Sequence, residues 1–423
     1  MKTKIVLLYF LFSFSLVLGQ GEAAMPTLWQ QPVSPLIGKG MTGVSNMERD
    51  PVSFYYNPAT LANFDEENFF SFMLMPEKTE WGVFPGIEYF SSGVSAGINL
   101  KNYLNGFPLR LGIGFVRSGF DFGDFYVTTP DSPDGFKTNS KDVSNSFGVG
   151  IGVDYILKFN LGFTAKHWNS DLGERFFNGT LRRIEADGFA FDFGAFVHAP
   201  LVKLFFNDYE IQFDNNSFIK PKVDVSLGYS LLNVGGKVDY EYLEGDDPLP
   251  RNARIGYSIN LGFDTDLSGT QLNLITYGFS AEADDILIKT REFNYWEENY
   301  SYSNVQTEYE NIFGKINIGK HLIGLEEDRD VVVHKGHSLN LFETISINSG
   351  RYNGRGFPNY KTNSFTFSTQ GIFKLLGRLI DDYTISWLTN HIVIKYSSIN
   401  MFVDTAFETN LKGSSISINN ISL

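Results

Sequence analysis

The sequence predicts an all-β fold, a transmembrane antiparallel β-barrel of about fourteen strands, preceded by an N-terminal segment that sits in the periplasm or plugs the lumen. Three observations predict it. Apolar and small or polar residues alternate with a period of two over segments of about ten residues, the length of a tilted membrane-crossing strand. The composition holds 40 Phe, 21 Tyr and 41 Gly among 423 residues, with no Cys. The chain opens with an export signal and thereafter has no apolar run long enough for a membrane helix.

That signal comes first in order. Lys2 and Lys4 precede an apolar run from Ile5 to Leu18, relieved by Ser13 and Ser15, and Val17 and Gly19 are small enough for a signal-peptidase site. The run is about 14 residues, short of the roughly 20 a spanning helix needs, so residues 1–19 read as a cleaved signal peptide rather than an anchor. No Cys follows it, which excludes a lipoprotein anchor. The net charge is −14, and loss of Lys2 and Lys4 takes it to −14 − 2 = −16. Phosphate binding needs clustered Lys and Arg, so nucleic acid is not an expected partner. A long exported chain without disulfides needs a large closed sheet to hold it.

Residues 20–66 differ from the rest of the mature chain. Pro26, Pro32, Pro35, Pro51 and Pro58 break any regular strand, so this stretch is expected to sit in the periplasm or fold into the barrel as a plug. Residues 67–423 are expected to form the barrel. Leu109, Leu111, Ile113 and Phe115 alternate with Arg110, Gly112 and Gly114, and Phe147, Val149, Ile151 and Val153 with Gly148, Gly150 and Gly152. Val94 to Leu100, Val223 to Leu231 and Ala253 to Leu261 repeat the pattern. A soluble sandwich would bury the large apolar face. A membrane barrel turns it to lipid and lines its lumen with the small or polar face, where glycine relieves crowding. Alternating segments run from Phe69 to Met401. Stretches Asp121–Asp142, Asn169–Asp187, Gly236–Arg251 and Asp284–Glu310 read as long external loops, and Gly319–Gly336 as an acidic one. Val202–Pro221 reads as an enlarged periplasmic turn or an extra hairpin. Trp81, Trp168, Trp296 and Trp387 are candidates for the interfacial aromatic girdles.

Motifs that could carry chemistry have plain structural readings. Gly93-Val-Ser-Ala-Gly97 has the G-x-S-x-G spacing of a hydrolase elbow, but it lies inside an alternating strand instead of at a strand-to-helix turn. His334 and His337 lack the further ligands zinc requires. Glu326, Glu327, Asp328 and Asp330 fit a solvated acidic loop. No catalytic residues, metal site or cofactor are expected, so the chain is not expected to be an enzyme.

The stretch Gly43 to Ala62 contains Tyr56-Asn57-Pro58-Ala59-Thr60-Leu61-Ala62. Asn before Pro starts a turn, and Ala59 to Ala62 can continue it for one helical turn. This stretch resembles the N-terminal signature of FadL-type barrels. Asp224 to Tyr240, with Asn233 and Gly235, followed by Pro248-Leu249-Pro250-Arg251-Asn252-Ala253-Arg254, resembles a strand–loop–strand pattern of the PorV/PorQ family. Phe189 to Pro200 and Lys335 to Gly350 resemble two further stretches of that family, although Ser338 and Asn348 depart from its acidic residue and Arg, and the C-terminal Leu423 from the usual aromatic. The resemblance implies a fourteen-stranded barrel of the cell outer membrane, with Tyr56, Asn57, Pro58, Ala59, Leu61 and Ala62 as plug or hatch. Its implied role is type IX protein secretion, with lipid around the barrel and protein partners (translocon, attachment components, secreted cargo). The FadL likeness implies instead a channel for hydrophobic small molecules.

Overall fold

The computed structural model describes residues 23–65, 67–82, 84, 86–129, 132–177, 179–206, 209–214, 217–243, 246–267, 270–289, 308–380 and 383–421. The signal peptide expected over residues 1–19 and the girdle residue Trp296 lie outside them.

Fourteen strands close one barrel. They are β1 (Asn68–Leu74), β2 (Glu88–Asn99), β3 (Leu109–Thr129), β4 (Ser132–Asp154), β5 (Lys158–Phe177), β6 (Thr180–Pro200), β7 (Ser217–Gly235), β8 (Asn252–Leu267), β9 (Thr270–Ile286), β10 (Val331–Leu341), β11 (Ile345–Gly354), β12 (Phe357–Ser368), β13 (Ile392–Val403) and β14 (Thr409–Asn419). Each pairs antiparallel with its neighbours in sequence, and β1 pairs both β2 and β14, which closes the ring. Closure leaves no long unpaired edge, the condition for a sheet in lipid. The last strand lies beyond Met401, where the alternation fades into Ser, Asn and Lys.

The alternation maps onto the wall as expected. Phe70, Phe72, Ile113, Phe147, Ile151 and Leu227 face outward and are exposed, while Ser71, Gly114, Gly148, Ser226 and Ser230 face the lumen. A wall with its large apolar side chains outside and Ser, Thr, Asn and Gly inside fits a lipid surround and no other solvent.

The rims differ. One carries the turns 155–157 and 342–344 and both ends of the barrel sequence, Asn68 and Asn419; short turns mark it as periplasmic. The opposite rim is the external one. There β3 and β4 reach 21 and 23 residues, about twice what a crossing needs. Beyond Asp121 and Asp171 the β3–β4 and β5–β6 pairs continue as hairpins that leave the barrel ladder and pack side by side, with Phe136 against Phe176 and the Glu174 N–H on Thr138 Oγ1. Of the stretches expected as loops, residues 121–129, 132–142, 169–177 and 180–187 are therefore strand. Outside the membrane the outer face of each hairpin meets water in place of lipid, so the alternation of large apolar side chains fades without loss of pairing, while Ile184 and Ala186 stay buried on the other face. Within Gly319–Gly336 a π-helix covers Ile318–Ile323 and β10 begins at Val331, so the acidic residues Glu326, Glu327, Asp328 and Asp330 occupy the loop between them.

The helical turns are not part of the wall itself. The short helix α1 (Pro35–Gly38) belongs to the N-terminal segment. Across Val202–Pro221, read as an enlarged periplasmic turn or an extra hairpin, the structure has helix α2 (Leu201–Phe206) followed by a short strand Ile211–Asp214 paired to β7.

Candidate functional site

The N-terminal segment from residue 23 to residue 65 lies inside the lumen, and most of its residues are buried. It is built from short turns. Helix α1 starts on Ser34, whose Oγ accepts from the Leu36 N–H at 3.2 Å. The 3-10 turn Pro58–Ala62 starts on Asn57, whose Oδ1 accepts from the Ala59 N–H at 3.0 Å. A capping Ser or Asn followed by Pro at the first helical position satisfies one exposed N–H and loses none that would bond. Such turns let an irregular backbone satisfy itself away from water.

The wall makes room for this backbone with glycines. A Cβ at Gly162 would fall on the Pro58 carbonyl carbon, one at Gly194 on Asn57 Oδ1, one at Gly228 on the Val44 carbonyl and one at Gly350 on the Gly40 nitrogen. Gly112, Gly114, Gly148 and Gly150 meet Phe54 and Leu61 in the same way. The luminal glycines expected to relieve crowding on the concave wall are thus seats for one particular segment.

Polar contacts fix that segment in place. Asn57 Nδ2 donates to the Val44 carbonyl at 2.7 Å and to the Ala195 carbonyl of β6 at 3.0 Å. Glu282 of β9 accepts from the Val44 N–H at 2.7 Å and pairs with Arg254 of β8 at 3.0 Å. Arg254 also donates to the Met41 carbonyl at 2.8 Å. His334 of β10 donates Nδ1–H to the Gly40 carbonyl at 2.8 Å, which assigns its tautomer. Lys166 of β5 and Asp192 of β6, both fully buried, pair at 2.8 Å, and the Lys166 ammonium sits 4.0 Å from the centre of the Tyr55 ring. Arg49 reaches Asn419 at 2.8 Å and lies 4.5 Å over the Phe69 ring, so the plug bridges the seam where β14 meets β1. Within the plug itself, burial raises the Asp50 carboxyl above its ordinary value despite bonds from the Val52 N–H and the Ser34 hydroxyl.

The residues singled out by sequence converge on this arrangement. Tyr56, Asn57, Pro58, Ala59, Leu61 and Ala62 are all buried in the lumen. Asn233 takes a left-handed backbone, φ 56°, tolerable for Asn. Its side chain accepts from Lys166 at 2.8 Å and donates to the Pro250 carbonyl at 3.0 Å. The Pro248 carbonyl accepts from the Ala24 N–H at 2.9 Å, and Leu249 packs with Met25 and Leu28. Gly235 leaves space for Leu249, and Arg254 is the wall residue that holds the Met41 carbonyl. Lys166, Asp192, Glu282 and His334 carry as much of the anchoring and were not singled out for it. A lone charge at an inward position carries no local pattern.

Other expectations resolve structurally. Ser95 is buried inside β2, and Gly93 and Gly97 abut Val52 and Phe64 of the plug. His334 faces the lumen and His337 the exterior, where it meets Tyr277 at 2.7 Å, so the two are not a ligand pair. Asp328 is held by Lys320, His321 and the N–H groups of Asp330 and Val331. Among the described residues no group of three His, Asp or Glu is placed to hold a metal. Trp168 is no girdle residue: it is buried in the lumen against Met25 and Leu28. Trp81 packs against Tyr89, Phe120 and Phe402 beside the plug's apolar cluster. An aromatic at an inward position fills space between plug and wall.

Two cavities border the plug. One of about 390 Å³ opens at the external rim, between Ala24, Met25 and Pro26 of the plug and Phe122, Leu172 and Tyr240. Asp142 closes its floor, accepting from Thr27 at 2.9 Å and Ser170 at 2.6 Å. The other, about 340 Å³, lies on the periplasmic side beneath Val33–Leu36 and Asn46–Pro51 and is lined chiefly by Ser, Thr, Asn and charged side chains of the wall.

No family model matches the sequence, and no curated protein matches it. Among solved structures, the toluene transporter TodX of Pseudomonas putida is similar with a TM-score of 0.46 and 9% identity, over 93% of this chain and 99% of that one. The toluene transporter TbuX of Ralstonia pickettii gives 0.42 and 10% over 92% and 98%. A FadL homologue of Pseudomonas aeruginosa gives 0.38 and 9% over 93% and 99%. At such scores the fold rests on the strand register itself. The closed barrel and its apolar exterior place the chain in the outer membrane.

Proposed function

We propose that the chain is a plugged outer-membrane channel for small hydrophobic molecules, with residues 20–66 as its hatch. The observation that carries this reading is that both cavities share the plug as a wall. Ala24 to Pro26 bound the external one, and Val33 to Leu36 and Asn46 to Pro51 the periplasmic one. Movement of one segment joins them. Met25, Pro26, Phe122 and Leu172 give the external cavity apolar walls suited to a hydrophobic solute. In this reading Tyr56 to Ala62 form the hinge side of the hatch. Asn233, Gly235, Pro248, Leu249, Pro250 and Arg254 form its latch.

A second reading is the type IX secretion role implied by the PorV/PorQ resemblance. It is favoured by the projecting hairpins β3–β4 and β5–β6, which expose Phe125, Tyr126 and Leu181 as surfaces for a protein partner. Deletion in the native bacterium separates the two. The channel reading expects uptake of a labelled hydrophobic carbon source to fall while exported proteins still reach the surface. Loss of surface delivery with uptake unchanged overturns it in favour of secretion.

A further inference from the structure

Two helical elements project from the periplasmic rim with their apolar sides uncovered. Between β12 and β13 the chain forms α3 (Gln370–Leu379) and α4 (Tyr383–His391). On α3 the residues Ile372, Leu375, Leu376 and Leu379 recur at i, i+3, i+4 and i+7, one stripe of a helix. In a soluble protein that stripe would face the core. Here it is the exposed side, with Leu379 79% accessible. The polar and small residues face the protein instead: Lys374 pairs with Glu343 of the β10–β11 turn at 2.6 Å, Gly371 abuts the Phe342 carbonyl, and Gly377 abuts Thr389 of α4. Tyr383 and Trp387 of α4 are also exposed.

The other element follows β6. Helix α2 and the strand Ile211–Asp214 leave Phe205, Phe206, Ile211 and Phe213 exposed, with Lys203 beside them. The two junctions stand six strands apart in a ring of fourteen, on nearly opposite sides of the rim.

We propose that α3–α4 and α2 with its following strand are interfacial anchors, seated among the phospholipids of the periplasmic leaflet. The occupant follows from continuity and charge. The α3–α4 hairpin grows directly from β12 and β13, whose Phe365, Phe367, Ile394 and Tyr396 belong to the lipid-facing belt. Lys203 and Arg378 stand beside the apolar residues, placed to meet lipid phosphates as in helices that lie in a membrane plane. Trp387, stacked on His391 at 4.9 Å, supplies the amphipathic ring favoured at that depth. Two opposed anchors resist tilting of the barrel and hold the periplasmic mouth level with the headgroups.

The chain has no native cysteine, so Leu379→Cys and Phe205→Cys each accept one environment-sensitive fluorophore. Each labelled full-length protein is reconstituted in phosphatidylethanolamine–phosphatidylglycerol vesicles, and barrel folding is verified by heat-modifiable gel mobility. Both labels are expected to show blue-shifted emission, quenching by lipids carrying a nitroxide high on the acyl chain, and protection from aqueous iodide. Thr384→Cys, next to the exposed Tyr383 of α4, serves as a second α3–α4 probe should Leu379→Cys fail to fold; it is expected to be quenched by headgroup nitroxide. Water-like emission with full iodide quenching at these positions in folded barrels overturns the proposal and assigns the surfaces to a periplasmic protein.

Discussion

Replacing Asn57 by Ala tests how firmly the wall holds the plug. The side chain donates to the Val44 carbonyl at 2.7 Å and the Ala195 carbonyl at 3.0 Å, and accepts from the Ala59 N–H at 3.0 Å. All three partners lose a bond in a place water does not reach, since Asn57 is fully buried. At about 1 kcal/mol net for each hydrogen bond, the substitution weakens seating by roughly 3 kcal/mol, with about 1 kcal/mol of that from the lost cap. Because ~1.4 kcal/mol is tenfold in an equilibrium, the ratio of unseated to seated plug rises on the order of a hundredfold. The β-strands keep all their own bonds, so the barrel still forms. Single-channel recording in planar bilayers reads the ratio as open probability, with heat-modifiable mobility as the control for folding. An open probability within about threefold of the parent in a folded barrel, under ~1 kcal/mol, refutes the view that these bonds hold the segment.

Three further outcomes rest on the same contacts. Gly162→Ala with Gly228→Ala places methyl groups on the Pro58 and Val44 backbone; at about 1–3 kcal/mol of overpacking each, trypsin is expected to cut at Lys39 and Arg49 faster, whereas Gly236→Ala, with nothing within 4 Å of the added carbon, leaves cleavage unchanged. Lys166→Met leaves Asp192 buried without its cation, so the unfolding temperature read by gel mobility is expected to drop as for a broken buried pair, about 3–5 kcal/mol, and Lys166→Met with Asp192→Leu is expected to recover most of it. The raised Asp50 carboxyl binds its proton more tightly in the seated plug than in the released one, so seating is strongest below the ordinary value of 3.8 and weakens as pH climbs from there through the raised value. Open probability is expected to rise over that window and Asp50→Asn to flatten the rise; an unchanged pH profile in the variant removes Asp50 as its cause.

The barrel was legible in the sequence because a lipid-facing strand must alternate, and Gly112–Gly114 or Gly148–Gly152 against Ile113, Phe147 and Ile151 do so plainly. Legibility stopped where the membrane stops. Residues 121–129 and 132–142 continue as paired strand, but water in place of lipid on the outer face removes the apolar pattern, so the stretch resembles a loop. The plug was marked by its prolines and by Asn57-Pro58, which announce a turn. Its wall partners were not, because Lys166, Asp192 and Glu282 look like any isolated polar residue of a luminal face until the register sets them around the plug. Asn233 and Arg254 stood out by resemblance, while their contacts with Lys166, Met41 and Glu282 come only from three-dimensional closure. The stripe Ile372, Leu375, Leu376 and Leu379 has helical spacing in the sequence itself, a signal masked by the period-two strands on either side.

The most direct measurement is the ion conductance of the full-length protein against a variant lacking residues 23–65, each in planar bilayers. The wall without its plug retains every strand pairing, and its lumen loses the atoms now filling the space above Gly162, Gly194 and Gly228. Full-length protein is expected to stay largely closed and the truncated barrel to show steady open steps. Equal conductance from two folded barrels would contradict the claim that this segment closes the lumen.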